Sequence, residues 1–400
     1  MATVCCVLNF SAWTFIRADS WVDHEISREA GPHSRGDVPP CCLVGQFLWY
    51  IPNTVEPGHR GDDTVDGWGS LDYSVDLALR AEQHGWEGAL IGTGWGRPDT
   101  FTVATAIAAR TTSFAPLVAV RPGYWHPAHF ASAAATLDRL NDGRLLINVV
   151  SGADDLAAYG DAEVDKGRRY DRTREFIRLV RRLWSEDDVT FRGEFFGVEH
   201  STLQPRPLGA ADGRYPKLYF GGASAAAEQV AATDADVQLF WGESLDGIAE
   251  RIDRLKSLSH KLGREHAPLE FGLRVTTLVR DTSEQAWRDA EAKVAKLAGT
   301  PTMLLLHDPT GSEGQRRLND LAGRGEVVDS CLYTTPSKYG GEGAGTTWLV
   351  GSAVEVADAL RKYADLGVSH FVLSDTPYKS ETVRLGDQLL PLLRPSAVPN

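Results

Sequence analysis

The sequence predicts an α/β protein whose strands close into a (β/α)8 barrel carrying insertions, and three observations support it. First, eight short apolar runs recur from Gln46 onward: Phe47–Ile51, Gly88–Ile91, Phe114–Ala119, Leu145–Val150, Lys217–Phe220, Val237–Phe240, Phe271–Val279 and His370–Ser374. They are apolar on both faces, as buried parallel strands are. Second, stretches of helical period separate them, the alternation of a parallel sheet covered by helices. Third, the competing open doubly wound sheet usually carries a GxGxxG turn after its first strand. Here that strand ends in Ile51, Pro52, Asn53 and Thr54. Closure uses all the strands and leaves no edge.

The connecting helices can be justified in order. Phe130, Ala133, Ala134, Leu137 and Leu140 fall on one helix face, as do Ile248, Ile252, Leu255, Leu258 and Leu262. A helix over Asp171–Ser185 follows the fourth strand, and Gly221, Gly222, Ala223 and Ser224 run directly into another. Thr282 with Gln285 and Ser352 with Glu355 have capping-box spacing, so helices should open there. Two segments break the repeat. Asp187–Pro207 contains the hairpin-like alternation Val189–Val198, and Gly299–Gly351 is rich in Gly, Thr, Arg and Asp. Long barrel insertions of this kind are commonly lids or interfaces.

The chain has 400 residues, 42% of them hydrophobic and 24% charged, enough for a large core and against wholesale disorder. Its net charge of −13, with basic residues dispersed, argues against nucleic acid as a partner. No apolar run approaches the roughly 18–20 residues that span a bilayer, so no membrane partner is expected. Cys5, Cys6, Cys41 and Cys42 crowd the start and only Cys331 lies beyond, neither a disulfide framework nor zinc spacing. Met1–Phe15 lacks a basic n-region and is broken by Asn9 and Ser11, so residues 1–45 read as a dispensable extension of a cytoplasmic protein.

Barrel chemistry sits at the carboxyl ends of the strands. Those ends here carry Gly92 to Arg97, Arg121, Asn148, Ser151, the Gly221–Ser224 turn, Trp241 to Glu243, Arg274, Thr276, and Asp375 to Tyr378. The turn suits a phosphate, because free helix amides and the Ser224 hydroxyl converge on one spot; an ordinary glycine turn with a serine cap reads equally well. Arg169 and Tyr170, just before the next helix, would either join that phosphate or simply be solvated. Asn148 is an amide in an apolar strand and must find partners, either a planar ring or structure. His126 and His129 have metal-compatible spacing but no third ligand, so no metal is expected. GxxxxGKS/T, HExxH, GxSxG and CxxC motifs are absent.

The run Val118–Gly152 closely resembles the bacterial luciferase-like flavin monooxygenases, and within them the reduced-FMN-dependent alkanesulfonate monooxygenases. The likeness continues in order through Arg168–Asp171, Leu218–Ser224, Trp241–Glu243, Phe271–Arg274, Gly314–Leu318, Gly343–Thr346 and His370–Ser374. The resemblance implies a luciferase-like TIM barrel with reduced FMN (FMNH2) from an NAD(P)H-dependent flavin reductase, O2 as co-substrate, and a small anionic organosulfur substrate cleaved to sulfite and an aldehyde. It also implies a homodimer or homotetramer. By matching position, Asn148, Ser151, Tyr170, Gly222, Ala223 and Ser224 would hold FMN, with Tyr170 and Ser224 at its phosphate. Arg274 would meet the sulfonate, and residues 299–351 would form a mobile lid.

The departures cluster on the substrate side. Thr276 stands where the alkanesulfonate enzymes have histidine, and Thr376 and Tyr378 where they have tyrosine and histidine around a proline. Arg97 replaces their cysteine, and Lys338 is the cation nearest the lid's glycine pair. Losing both imidazoles changes which groups exchange protons near neutral pH. Arg274, Arg97, Thr276, Tyr378 and Trp241 are therefore the substrate-side candidates. Oxidation of a heterocycle or specialised metabolite, use of F420, and a catalytically silent flavin-binding role are the alternatives.

Overall fold

The computed structural model describes residues 45–53, 71–151, 158, 160, 168–299, 312–339 and 346–394. The predicted extension over 1–45 lies outside them, Gly45 excepted. The first half of the chain comprises β1 (Gln46–Ile51), α1 (Leu71–Gln83), β2 (Gly88–Ile91), α2 (Thr100–Ala108), β3 (Ala115–Val120), α3 (Pro127–Leu140), β4 (Leu146–Val149) and α4 (Arg169–Ser185). The hairpin β5 (Val189–Arg192) and β6 (Gly197–Ser201) leads to β7 (Lys217–Gly221), α5 (Ala225–Asp234), β8 (Val237–Trp241), α6 (Leu245–Lys261), β9 (Glu270–Arg280) and α7 (Ser283–Gly299). Then come α8 (Glu313–Arg324), β10 (Val327–Val328), β11 (Leu332–Tyr333), β12 (Trp348–Ser352), α9 (Ala353–Asp365), β13 (Val368–Ser374), α10 (Tyr378–Gln388) and α11 (Leu390–Leu393).

Strands β1, β2, β3, β4, β7, β8, β9 and β13 pair in parallel in that order, and β13 returns to β1. These are the eight runs legible in the sequence, closed as a (β/α)8 barrel. Their carboxyl ends therefore share one mouth. Helix starts follow local chemistry: Ser352 and Glu355 form the full reciprocal capping box, and Thr282 accepts from the Gln285 amide at 3.2 Å.

Two boundaries and one additional strand mark the main differences from the sequence reading. Helix α4 begins at Arg169 rather than Asp171, because the Arg172 amide already bonds the Arg168 carbonyl at 3.0 Å. Arg169 and Tyr170 thus belong to its first turn. Strand β9 runs to Arg280, and its outer half pairs with β12 from Thr276–Trp348 to Arg280–Ser352. The Trp348–Val350 run is therefore a strand, and the second insertion is stitched to the sheet. A satellite core of Leu278, Ala290, Val294, Trp348 and Val350 packs α7 over this junction.

At the opposite end of the barrel a polar cluster joins four strands. Tyr219 Oη lies 2.9 Å from both Gln46 Oε1 and His370 Nδ1; His370 Nε2 is 2.6 Å from Glu270, which also accepts from Lys217 at 2.7 Å. The His370 hydrogen bond foremost, and Lys217 after it, hold the Glu270 carboxyl down to about 2 from its ordinary 4.5. The stabilisation is then present above pH 4.5 and is lost as pH falls through about 2. Urea unfolding across this range should show Glu270→Gln less stable at pH 7 and with a shallower acid loss; an unchanged profile would remove Glu270 from the acid response.

Candidate active site

Two arcs of the mouth carry the predicted residues. On the first, Asn148 sits in β4 between Ala119 and Tyr219, only 8% exposed, and its Oδ1 has no hydrogen-bond partner among the described residues. An unmet buried acceptor costs about 1–3 kcal/mol, which a ligand donor can offset. Just past β4, Ser151 Oγ lies 2.6 Å from Thr173 Oγ1, and Thr173 gives its one proton to the Arg169 carbonyl at 2.9 Å. Ser151 is therefore the donor of that pair and offers a ligand only acceptor lone pairs.

Tyr170 is half-buried in the first turn of α4. The N-cap, Arg168, makes no side-chain cap bond; its guanidinium pairs with Glu194 and lies 5.0 Å from the Phe195 ring in the β5–β6 hairpin. The opening amides of α4 are thus left uncapped by a side chain, with the buried Nε of Arg169 unpartnered among the described residues. This is an anion-favouring helix start.

At the Gly222–Ser224 turn the serine-cap reading holds, and the geometry stays compatible with an anion. Ser224 caps α5, accepting from the Ala227 amide at 3.2 Å, and retains its hydroxyl proton for a ligand. Gly222 has φ +145°, and a Cβ there would meet Ala227 Cβ at 2.6 Å, so only glycine fits. Its carbonyl accepts from Gln238 at 3.2 Å and from buried Arg251 at 2.6 Å. That oxygen is neutralised within the protein instead of opposing an anion at the turn. Ala223 completes the turn, half-buried.

The second arc is cationic and aromatic. Arg274 in β9 is the register neighbour of Trp241 in β8 and Val372 in β13, and its guanidinium lies 4.5 Å over the Tyr50 ring. No carboxylate pairs with it among the described residues. Thr276 pairs with Ser374 and Trp348; it is 1% exposed, with Oγ1 unpartnered among the described residues. Trp241 is 42% exposed, and the first turn of α8 lies beside it: a Cβ on Gly314 would sit 3.6 Å from the indole. Tyr378 is buried, its ring 6.1 Å from Tyr50. Arg97 donates to the carbonyls of Pro52 and Asn53 after β1, so it braces the β1 and β2 ends together.

Arg274 and Tyr378 therefore meet at Tyr50, with Trp241 beside Arg274 across β8 and β9 and Thr276 two residues further along β9; the sequence reading missed Tyr50 although it is a polar residue near the end of an apolar strand. Also missed were Thr173, Arg251 and the Lys293–Asp375 pair, none of which belongs to a recognisable local motif. Lys338 is exposed at the end of a short 3-10 turn. His126 accepts from the Ala128 amide at 3.4 Å as the cap of α3, and His129 stacks on Trp125 at 5.1 Å. No metal-type cluster occurs among the described residues.

Several solved structures share this fold. A riboflavin lyase, determined with modified FMN and its substrate riboflavin, matches with TM-score 0.71 and 20% identity over 88% of this chain and 91% of its own. The EDTA monooxygenase of Chelativorans sp. BNC1 matches with TM-score 0.70 and 17% identity over 88% and 93%. The coenzyme F420-dependent tetrahydromethanopterin reductase of Methanopyrus kandleri matches with TM-score 0.63 and 15% identity over 88% and 100%. A family model described as luciferase-like monooxygenase matches residues 46–370. By that match over most of its length, the chain belongs to the luciferase-like monooxygenase family.

Proposed function

We propose that this protein is the oxygenase of a two-component system: it takes reduced FMN from a separate NAD(P)H-dependent flavin reductase and uses O2 to cleave a small organosulfonate to sulfite and an aldehyde. The observation that carries the substrate half is Arg274, a half-buried guanidinium at the mouth with no carboxylate partner among the described residues. Its fixed fork matches a tetrahedral oxyanion.

The residues of the first arc fit a flavin nucleotide. The unmet Asn148 acceptor and the lone pairs of Ser151 suit the N–H edge of the ring. Tyr170, the α4 amides and the Gly222, Ala223, Ser224 turn suit its phosphate. Bound reduced FMN would supply the electrons that activate O2. Arg274 would orient the sulfonate, and Trp241, beside α8, would shield the reacting centre from water. Thr276 offers a hydroxyl where an imidazole would hold a proton near neutral pH, so it relays a proton without storing one.

Calorimetric titration with reduced FMN, oxidised FMN and reduced F420, followed by sulfite analysis across a sulfonate panel with reductase, NAD(P)H and O2, tests both halves. Reduced FMN should bind tightest and at least one sulfonate should yield sulfite. Absence of flavin binding overturns the cofactor assignment; tighter F420 binding transfers it to the deazaflavin. Flavin binding without sulfite moves the substrate to a heterocycle, which the exposed Trp241 face also suits, or leaves a silent flavin binder.

Asn148→Leu gives a sharper split. Removing an unmet buried amide should leave thermal stability equal or higher while weakening reduced FMN about tenfold, the equivalent of roughly 1.4 kcal/mol. A variant that loses stability but keeps its affinity would make Asn148 structural.

A further inference from the structure

Six charged side chains form a closed ring of alternating sign behind the Gly222 turn. Glu228 of α5 pairs with Arg251 at 3.2 Å, Arg251 with Glu243 at 3.8 Å, and Glu243 closely with Arg317 of α8. Arg317 reaches Glu250 at 3.3 Å, Glu250 pairs closely with Arg254, and Arg254 returns to Glu228 at 2.8 Å. Arg251 and Glu228 are almost fully buried, whereas Arg254 and Glu250 face solvent.

The ring has two outlets. Arg251 donates to the Gly222 carbonyl at 2.6 Å, on the candidate phosphate turn. Arg317 belongs to α8, whose first turn lies against Trp241. Glu243 stands between them, its backbone fixed by the Tyr363 hydroxyl at 2.6 Å. Its carboxylate is shared: close to Arg317, but 3.8 Å from Arg251. A dianion arriving at the turn attracts Arg251 and weakens its already long link to Glu243. Glu243 is then left to Arg317.

From this geometry we infer that the ring couples the phosphate turn to α8, with Arg251 and Glu243 as positioning residues through which a phosphate at Gly222–Ser224 tightens α8 over Trp241. The coupling rests on the FMN reading. It differs from simple packing because it is specific to the phosphate and, by linkage, reciprocal.

Hydrogen exchange of the full chain, with FMN and with riboflavin at equal saturation, tests it. FMN should slow exchange across Glu313–Arg324 at least threefold more than riboflavin does. Arg317→Gln should abolish that difference and weaken FMN about fivefold or more while leaving riboflavin affinity within twofold, the low end of measured couplings. Arg317→Lys, which keeps the charge, should recover part of both effects. Arg317 touches none of the candidate flavin residues and lies on the insertion, its partners being Glu243 and Glu250, so its replacement leaves the turn and the buried Arg251–Glu228 pair in place. Equal protection by the two ligands, or an unchanged FMN affinity in Arg317→Gln, overturns the coupling while leaving the flavin reading intact. If the wild-type chain binds neither ligand, the flavin reading fails first and the coupling with it.

Discussion

If the proposed sulfonate is the substrate, replacing Arg274 with alanine is expected to lower kcat/KM for it by about two to three orders of magnitude, the usual effect of deleting one side of a largely desolvated charge pair. Strand β9 fixes its backbone beside Trp241, and the Tyr50 ring supports the guanidinium face at 4.5 Å, leaving its N–H fork for an anion. Arg274→Lys should recover little, because an ammonium neither stacks on Tyr50 in the same way nor offers parallel donors. Sulfite release under saturating reduced flavin measures the effect. Near wild-type turnover in the alanine variant would exclude Arg274 from substrate recognition.

The second large effect concerns stability. Lys293 of α7 pairs with Asp375 at 2.9 Å and donates to the Thr376 carbonyl, in a pocket where the Asp375 side chain is 1% exposed. Arg280 stands 3.8 Å from the same carboxylate and binds Glu381 at 3.1 Å and Asp289 at 2.6 Å. This network fixes the turn that follows β13 and delivers Tyr378 to Tyr50. Lys293→Met leaves the buried Asp375 carboxylate only the more distant Arg280, already engaged by Glu381 and Asp289, and should cost about 3 kcal/mol, read as a lowered urea midpoint. Adding Asp375→Asn to Lys293→Met should restore most of it, since the under-compensated buried charge is gone. Equal midpoints for the wild type and the single variant would show that the pair contributes nothing.

What was legible in the sequence follows from the range of the forces involved. All eight barrel strands were readable because each is a short apolar run bounded by breaks, a local signal. The cap at Ser352 was equally local. Strand β12 was missed because Trp348–Val350 is brief and lies in a glycine- and threonine-rich insertion; only its pairing with β9 makes it a strand. Arg274, Trp241 and Thr276 were found as polar or aromatic residues at strand ends, but nothing local announced Tyr50 as the platform beneath Arg274. Arg251 reads as one more arginine on an amphipathic helix. Its link to Gly222 spans 29 positions and its ion pair with Glu228 spans 23, so no local pattern reveals either.

The joining of β12 to the outer half of β9 bears on how such proteins diversify. The far end of the second insertion is anchored by a backbone ladder, which any side chain of suitable shape can join, on a strand whose inner half carries Arg274. A replacement cassette that preserves this ladder could therefore recombine with the barrel platform and alter substrate range without disturbing the staves beneath.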